Sequence, residues 1–303
     1  MADIFGPNGI NIGSFTIYYY GILIVIGILL AATVASWLAK RDDKDPDHIW
    51  GGLTWALIPG IIGARAWFVL FPPQTVVDAG HGTAWMFSHP FDLEHGPLAI
   101  RYGGLGIWGG IIGGLIGVYF YSRRHKLPLL EWLDLAVVAV PLAQAIGRWG
   151  NFINKELYGH PTEVPWGIEI PCRNRVKPYT CPEGYDAGTR FHPLFLYESL
   201  WNLLSFGVLL FVWNRYRDRL RKGDVMLLYF ILYPAGRFFL EFLRVEIATV
   251  GGVNINQAIM GITALVAAAI LLYRHRPGAL PASAVGVQDE EASTEADAET
   301  AED

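Results

Sequence analysis

Seven stretches of this 303-residue chain are apolar for long enough to cross a bilayer, and that repetition constrains every other reading of it. They run approximately over 17–38, 49–71, 102–121, 131–149, 193–213, 224–243 and 253–273. A hydrocarbon core of ~30 Å requires about 20 helical residues. Only 17% of the chain is charged, whereas a soluble domain carries about 25%. Seven such helices buried in a globule would leave too little polar surface to keep it dissolved. The fold class expected is an all-α membrane protein with seven transmembrane helices.

Orientation follows from lysine and arginine in the short loops. The loops after spans one, three and five hold three, three and five basic residues, and the segment after span seven adds two. The long loop after span two, from "PPQTVVDAG" to "GPLAI", has none. The N-terminus is therefore expected outside and the C-terminus in the cytoplasm. The opening "MADIFGPNGINIGSF" lacks a basic n-region and a small-residue cleavage site, so the first apolar segment is expected to remain in the mature protein. A membrane catalytic region is assigned to 1–280, with 152–191 as a small extracytoplasmic cap between spans four and five. Residues 281–303 form an acidic cytoplasmic tail expected to be disordered. Eight acidic residues lie between Asp289 and Asp303, so a net charge of −5 becomes +3 without them. Cys172 and Cys181 both fall in the outer cap, where disulfides persist, and are expected to pair.

With depth assigned, the polar residues within the spans separate from the rest. Tyr18, Tyr19 and Tyr20 open span one, Arg65 lies in the outer half of span two, and Arg101 with "YGGLGIWGG" opens span three. Arg148 and Asn151 close span four; His192, Tyr197 and Glu198 open span five. Arg237, Glu241 and Arg244 close span six, and Asn254, Asn256 and Gln257 open span seven. All point to one polar cavity at the outer leaflet, while the inner ends carry basic loops and little else. Intramembrane charges are costly and mark function. Gly106, Gly110 and Gly114, with Gly109, Gly113 and Gly117, give span three two small-residue faces for close helix packing.

Arginine supplies the chemistry. Arg237, Glu241 and Arg244 stand at i, i+4 and i+7, one helix face, and Arg148 and Asn151 at i, i+3 share another if the helix continues that far. Guanidinium is a planar fork that binds phosphate in two-point fashion and keeps its charge when desolvated. Arginines from separate helices at headgroup depth describe a receptor for a phospholipid headgroup. The alternative is a set of interhelical ion pairs joining Glu198 or Glu241 to an arginine, though such pairs stabilise weakly.

The segment "GRWGNFINKELYGHPTE" resembles the signature of bacterial prolipoprotein diacylglyceryl transferases. Further likenesses are "YYG" at 19–21, "GGLGIWGG" at 103–110, "HPLFLYE" at 192–198 and "GRFFLEFLR" at 236–244. The resemblance implies transfer of the diacylglyceryl group of phosphatidylglycerol to the lipobox cysteine thiol of a preprolipoprotein, forming a thioether and releasing glycerol phosphate. It implies a bacterial inner-membrane enzyme whose active site faces the extracytoplasmic leaflet, with the lipid bilayer, phosphatidylglycerol and the lipobox segment as partners and no nucleic acid. Tyr20, Arg148, Asn151, Arg237 and Glu241 are the expected catalytic positions. Headgroup binding is expected of Arg148, Arg237, Arg244, Asn154, Glu156, Gly159, Gly103, Gly104 and His192. No metal or cofactor is expected, for no His/Cys/carboxylate set has ligand spacing. Trp108 departs from the histidine many relatives carry, so proton removal falls to Glu241, Glu156, Tyr20 or His192, or to thiolate stabilisation by nearby cations.

Rival classes fit less well. A secondary transporter would show internal repeats and mid-membrane polarity, an intramembrane protease its own catalytic motif, and a structural membrane protein no need for so many charges at one depth.

Overall fold

The computed structural model describes residues 5–12, 15–99, 103–181, 185–186, 188–245 and 247–277. Arg101 and the tail 281–303 lie outside the described residues. The architecture is mainly helical, in two compact units: Ser36–Trp132, and Met1–Ala35 together with Leu133–Asp303. Six helices among the described residues are long and apolar enough to cross a membrane: Tyr19–Arg41, Asp47–Leu70, Leu129–Asn154, Leu194–Arg219, Asp224–Leu243 and Ile255–Arg274. Their outward faces are apolar. Leu29, Ile58, Ile62, Phe211, Leu265 and Leu272 are all exposed, the reverse of a soluble helix.

In chain order, a short hairpin of β1 (Gly9–Ile12) and β2 (Phe15–Tyr18) leads into α1 (Tyr19–Arg41). Then come α2 (Asp47–Leu70) and the short helices α3 (Gln74–Asp78) and α4 (Thr83–Ser88). The third apolar stretch forms α5 (Ile107–Arg124). It begins later than the sequence suggests, because Gly103 and Gly104 hold positive φ angles of 93° and 71° just before it, a conformation that glycine adopts without a Cβ penalty. Five glycines and a terminal arginine pair lower its hydropathy below that of the other six helices.

Within Ser36–Trp132, α5 lies against α2 at backbone distance. A Cβ on Gly109 would meet the carbonyl oxygen of Gly63, one on Gly113 that of Pro59, and one on Gly117 that of Trp55. Of the two small-residue faces in the sequence, this is the one that makes close backbone contact; on the other, only Gly106 is crowded, by the Trp67 side chain. Gly110 and Gly114 meet neighbours only at ordinary separations, 3.6 Å and beyond. Such contact maximises dispersion where lipid offers no hydrophobic drive between helices. Arg65 is buried on α2, and its guanidinium donates to the carbonyls of Gly96 (2.5 Å), Pro97 (2.7 Å), Gly103 (2.8 Å) and Gly104 (3.0 Å). It ties the loop between α4 and α5 to the helix pair through backbone carbonyls, and it also borders a cavity of about 540 Å³.

The larger unit contains α6 (Leu129–Asn154), α7 (Leu194–Tyr216), α8 (Asp224–Leu240) and α9 (Ile255–Arg274), with α1 against α6. Gly27 lets α1 approach Ala143, 3.0 Å from its carbonyl to the missing Cβ position. Ser199 Oγ donates to the Ala145 carbonyl (3.0 Å), and Gln144 Nε2 to the Tyr229 hydroxyl (2.8 Å), joining α6 to α7 and α8. The end of α8 away from the signature is not the bare basic loop expected of it. Asp134 accepts from Gly223 N and Met226 N, capping α8 with a carboxylate from α6. Asp224, fully buried, pairs with Arg274 (3.3 Å) and His275 (2.7 Å). These two carboxylates satisfy helix-terminal donors and cations that the sequence pattern alone presents as ordinary loop charge.

Between α6 and α7 the chain builds a small cap around Tyr158, Ile170 and Phe191, with β3 (Ile168–Glu169) paired antiparallel to β4 (Arg190–Phe191). Cys172 and Cys181 are disulfide-bonded. Buried Arg175 donates to the carbonyls of Ile170 and Asp186 at 2.8 Å and lies over the Phe191 ring. Strands β5 (Thr249–Val250) and β6 (Val253–Asn254) form the turn before α9.

The α2–α5 contact yields a test. Gly113→Val places two methyl groups where the Pro59 carbonyl sits, and should destabilise the fold by about 1–3 kcal/mol. Thermal unfolding in detergent checks it, with Gly114→Val as the milder comparison.

Candidate active site

Helix α6 continues through the signature to Asn154, so Arg148 and Asn151 do share a face, and Arg148 Nη1 donates to Asn151 Oδ1 at 3.4 Å. The helix then stops abruptly. Lys155 and Leu157 take positive φ angles of 56° and 54°, the left-handed geometry that ends helices, at a cost of about 1–2 kcal/mol for each non-glycine residue. The reversal brings Glu156 back under the helix, where Oε1 accepts from Asn151 Nδ2 (2.8 Å) and Asn154 Nδ2 (3.2 Å). Two strained residues thus serve to place one carboxylate.

At the start of α7, Glu198 is 5% exposed and stands between two arginines. Arg148 Nε lies 2.6 Å from Oε2, and Arg237 Nη1 donates to Oε1. Arg237 also approaches Glu241 Oε2 at 3.6 Å, and Arg244 Nη1 reaches the same oxygen at 3.6 Å. The triplet of span six is therefore assembled, though not on one α-helix as its spacing suggests. Helix α8 ends at Leu240 and Glu241–Leu243 tightens into a 3₁₀ turn. In that geometry residues three apart are eclipsed, so Glu241 faces Arg237 behind it and Arg244 ahead. Asn254 Nδ2 donates to Glu241 Oε1 at 3.4 Å.

The result is an alternating chain, Arg148–Glu198–Arg237–Glu241–Arg244: three cations and two carboxylates. The carboxylates are 5% and 2% exposed, the guanidinium groups 15–21%. The negative charges are thus inside and the positive ones at the margin; with Glu156, which Asn151 joins to Arg148, the cluster holds three cations and three carboxylates. Glu156 is held by the two asparagines, one step beyond Arg148. Such an arrangement can accept a singly charged anion on its arginine side.

The other expected residues take varied places. The Tyr20 ring packs on Gly150 of α6, two residues beyond Arg148, where a Cβ would collide with it. Gly159 is wedged between His192, Leu194 and the Leu243 carbonyl: a Cβ there would lie 2.8 Å from both His192 Cβ and Leu243 O. Its N–H donates to the His192 carbonyl (2.9 Å), and the N–H of His160 to the Leu243 carbonyl (2.9 Å). Gly159 thus pins the cap to the residue preceding Arg244. His192 Nδ1 lies 3.1 Å from the Tyr197 hydroxyl, which also accepts from Trp166 Nε1 (2.8 Å). Gly103 and Gly104 belong to the Ser36–Trp132 unit, where their carbonyls engage Arg65 and they border a cavity of about 540 Å³ with Phe68, His81, Met86 and His95. Trp108 is exposed on α5.

Glu198 is the residue that sequence reasoning undervalued. The sequence offers it only as the alternative, an interhelical ion-pair partner for some arginine; the structure shows that pairing, with arginines 50 positions before and 39 after that no local spacing specifies.

The family model described as prolipoprotein diacylglyceryl transferase matches residues 7–273. A curated protein of Chloroflexus aggregans, named phosphatidylglycerol–prolipoprotein diacylglyceryl transferase, is 36% identical over 295 residues, covering 90% of this chain and 92% of its own. Proteins of the same name from Prochlorococcus marinus (strain MIT 9301) and Gloeobacter violaceus are each 38% identical, over 250 and 254 residues. They cover 82% and 84% of this chain, and 82% and 87% of their own length.

Two predictions follow from this geometry. Glu198→Gln keeps the shape but leaves Arg148 and Arg237 facing each other unneutralised, and should cost about 3–5 kcal/mol, read as a fall in the denaturation midpoint in detergent. Burial, with a smaller contribution from His160, lowers the His192 pKa below its ordinary 6.5. The imidazole is therefore favoured neutral in the folded protein; that contribution is present above about pH 6.5, the unfolded value, and is lost as pH falls on through the lower folded one. An NMR titration of His192 should give a midpoint below 6.5, and a midpoint above it contradicts the assignment.

Proposed function

Since the chain belongs to the prolipoprotein diacylglyceryl transferase family, we propose that it transfers the diacylglyceryl group of phosphatidylglycerol to the lipobox cysteine thiol of preprolipoproteins. Glycerol phosphate leaves, and the reaction is the first step of bacterial lipoprotein maturation. The observation that supports this most directly is the alternating arginine–glutamate chain, whose less buried guanidinium groups stand at its margin where a phosphodiester could meet them.

On this reading the thiol sulfur attacks the glycerol carbon bonded to phosphate. The carbon–sulfur bond forms as the carbon–oxygen bond breaks, the thiol proton is released, and negative charge grows on the departing phosphate oxygen. Arg148 and Arg237, fixed by Glu198, meet that charge without reorganising, and so stabilise the transition state more than the ground state. Arg244, Asn154, Glu156 and Gly159 shape the rest of the headgroup site, with Asn151 and Glu241 orienting the arginines. Tyr20 and His192 complete the proposed substrate contacts. The lipid and the lipobox segment both reside in the bilayer, so the site must open sideways to it.

Localisation is assigned accordingly. The protein is a multi-pass component of the bacterial inner membrane with seven spans, α5 being the third. Its N-terminus is outside, its acidic tail cytoplasmic, and its active site faces the extracytoplasmic leaflet. The cap over 152–191 covers that site.

Purified protein incubated with phosphatidylglycerol and a lipobox peptide should add one diacylglyceryl mass to the peptide. Arg237→Lys and Arg148→Lys, which keep charge but lose the planar fork, should each reduce the initial rate by about 10²–10³. Full activity in both variants rejects the arginine roles. No mass change in the unaltered protein rejects the function.

A further inference from the structure

Beside the arginine–glutamate chain, three stretches of backbone meet edge to edge. Gly159 bridges Arg244 on one side and donates its N–H to the His192 carbonyl on the other. His192 is thus one strand removed from the last arginine of the cluster. Tyr197, on the first turn of α7, immediately precedes Glu198. Two side chains converge on its hydroxyl. Trp166 of the cap donates its indole N–H to the Tyr197 oxygen at 2.8 Å, and His192 Nδ1 lies 3.1 Å from the same oxygen. The His192 and Tyr197 rings stand 5.9 Å apart at 56°, an edge contact through polar atoms rather than a stack.

Counting protons gives these three groups a direction. An indole N–H only donates, a phenol has one proton to give, and a neutral imidazole has one N–H and one free lone pair. With the Trp166 proton on its oxygen, Tyr197 satisfies its own proton by donating to His192 Nδ1. The opposite assignment, with a proton on Nδ1, gives the Tyr197 oxygen two donors and leaves its own proton without an acceptor among the described residues, the unsatisfied state that folded proteins avoid. Burial, with a smaller contribution from His160, holds the His192 pKa below 6.5, so the ring is neutral at ordinary pH and carries one N–H. That N–H is then at Nε2, which has no partner among the described residues.

We infer that the Trp166–Tyr197–His192 chain fixes His192 as its Nε2–H tautomer and so makes it a hydrogen-bond donor to the substrate headgroup, with Tyr197 as the positioning residue. The inference rests on the proposed function for the identity of that headgroup; the tautomer stands on the hydrogen bonds alone. It also narrows the choice of base. Nδ1 commits its lone pair to Tyr197 and Nε2 carries the proton, so neither ring nitrogen is open to take a proton from the thiol. The chemistry left to His192 is donation to a phosphate or glycerol oxygen. A donor set in advance costs no reorganisation when charge develops on that oxygen. Through Trp166, the cap takes part in setting it.

The test uses the full-length protein in nanodiscs, with histidine labelled at both ring nitrogens for NMR. The chain has eight histidines, and the His192 signals are those lost in His192→Gln. At about pH 7.5, above the ordinary histidine value, they should show a protonated Nε2 and an unprotonated, hydrogen-bonded Nδ1. In Tyr197→Phe the Nδ1 signal should move to the position of a nitrogen with no hydrogen bond. A protonated Nδ1, or an Nδ1 signal unmoved in Tyr197→Phe, overturns the inference. Initial rates of transfer from phosphatidylglycerol to a lipobox peptide give a second arm. Glutamine places an amide N–H near the Nε2 position but cannot act as a base. His192→Gln should therefore stay within about tenfold of the unaltered rate, while His192→Ala loses about 10²–10³. Equal losses in the two variants overturn the donor role. Tyr197→Phe should slow transfer about tenfold in the unaltered background and not at all in His192→Ala, because Tyr197 acts through the imidazole. Equal slowing in both backgrounds, or none in the first, overturns its positioning role. The expected tautomer without any transfer by the unaltered protein leaves the hydrogen-bond chain in place and instead rejects the proposed function.

Discussion

Glu198 holds the site together. A carboxylate at the start of a membrane helix, almost wholly buried, is tolerable only with cations beside it, and here Arg148 from α6 and Arg237 from α8 supply them. Three helices are cross-linked by one side chain. The same contact fixes both guanidinium groups, and each has a second partner, Asn151 for Arg148 and Glu241 for Arg237. Ion pairs buried this way contribute little net stability compared with well-packed apolar residues. Their persistence here is better explained by what they hold in place than by what they stabilise. The repeat of the pattern at Glu241, between Arg237 and Arg244, gives Arg237 two carboxylates and locks its plane.

The neighbouring elements are arranged to serve that chain of charges. The left-handed residues Lys155 and Leu157 turn Glu156 back toward Asn151, and the 3₁₀ turn at Glu241 swings Arg244 within reach of the same oxygen as Arg237. Gly159, too crowded for any side chain, ties the cap to Leu243. At the far end of α8, Asp134 and Asp224 bind that helix to α6 and to Arg274 on α9. Helix α8 carries Arg237, and is thus anchored at both termini by carboxylates. In the Ser36–Trp132 unit a different device serves: backbone contact along glycines, with Arg65 gathering loop carbonyls.

Much of this was legible from residue order, for identifiable reasons. Long apolar runs announce membrane helices because the bilayer admits little else, and six are long and apolar by any measure. Arg148 with Asn151, and Arg237 with Glu241, obey helical spacing and could be paired locally. The short helices α3 and α4 were not visible, since five or six residues rich in polar and small side chains carry no periodic signal. The partners of Glu198 and Arg65, and the roles of Asp134 and Asp224, depend on which helices become neighbours, and no spacing within one helix encodes that. Arg65 in particular looks like a site residue by type and depth; only its four carbonyl partners reveal it as a structural knot.

Trp108 shows how the charge pattern bears on the proposed chemistry. Its indole can donate a hydrogen bond but cannot take a proton, and it stands where the family resemblance leads one to expect a histidine. If the site worked mainly by general-base catalysis, that exchange would remove the central group. A site working mainly by electrostatic stabilisation has no such dependence. The difficult event in the proposed reaction is departure of phosphate from carbon, and the charge that must be met there is negative. A thiol close to guanidinium groups is also biased toward its thiolate, so one cluster of cations favours both the nucleophile and the leaving group. On the proposed chemistry, the placement of the guanidinium groups at the margin of the cluster, rather than any one proton acceptor, would set the rate.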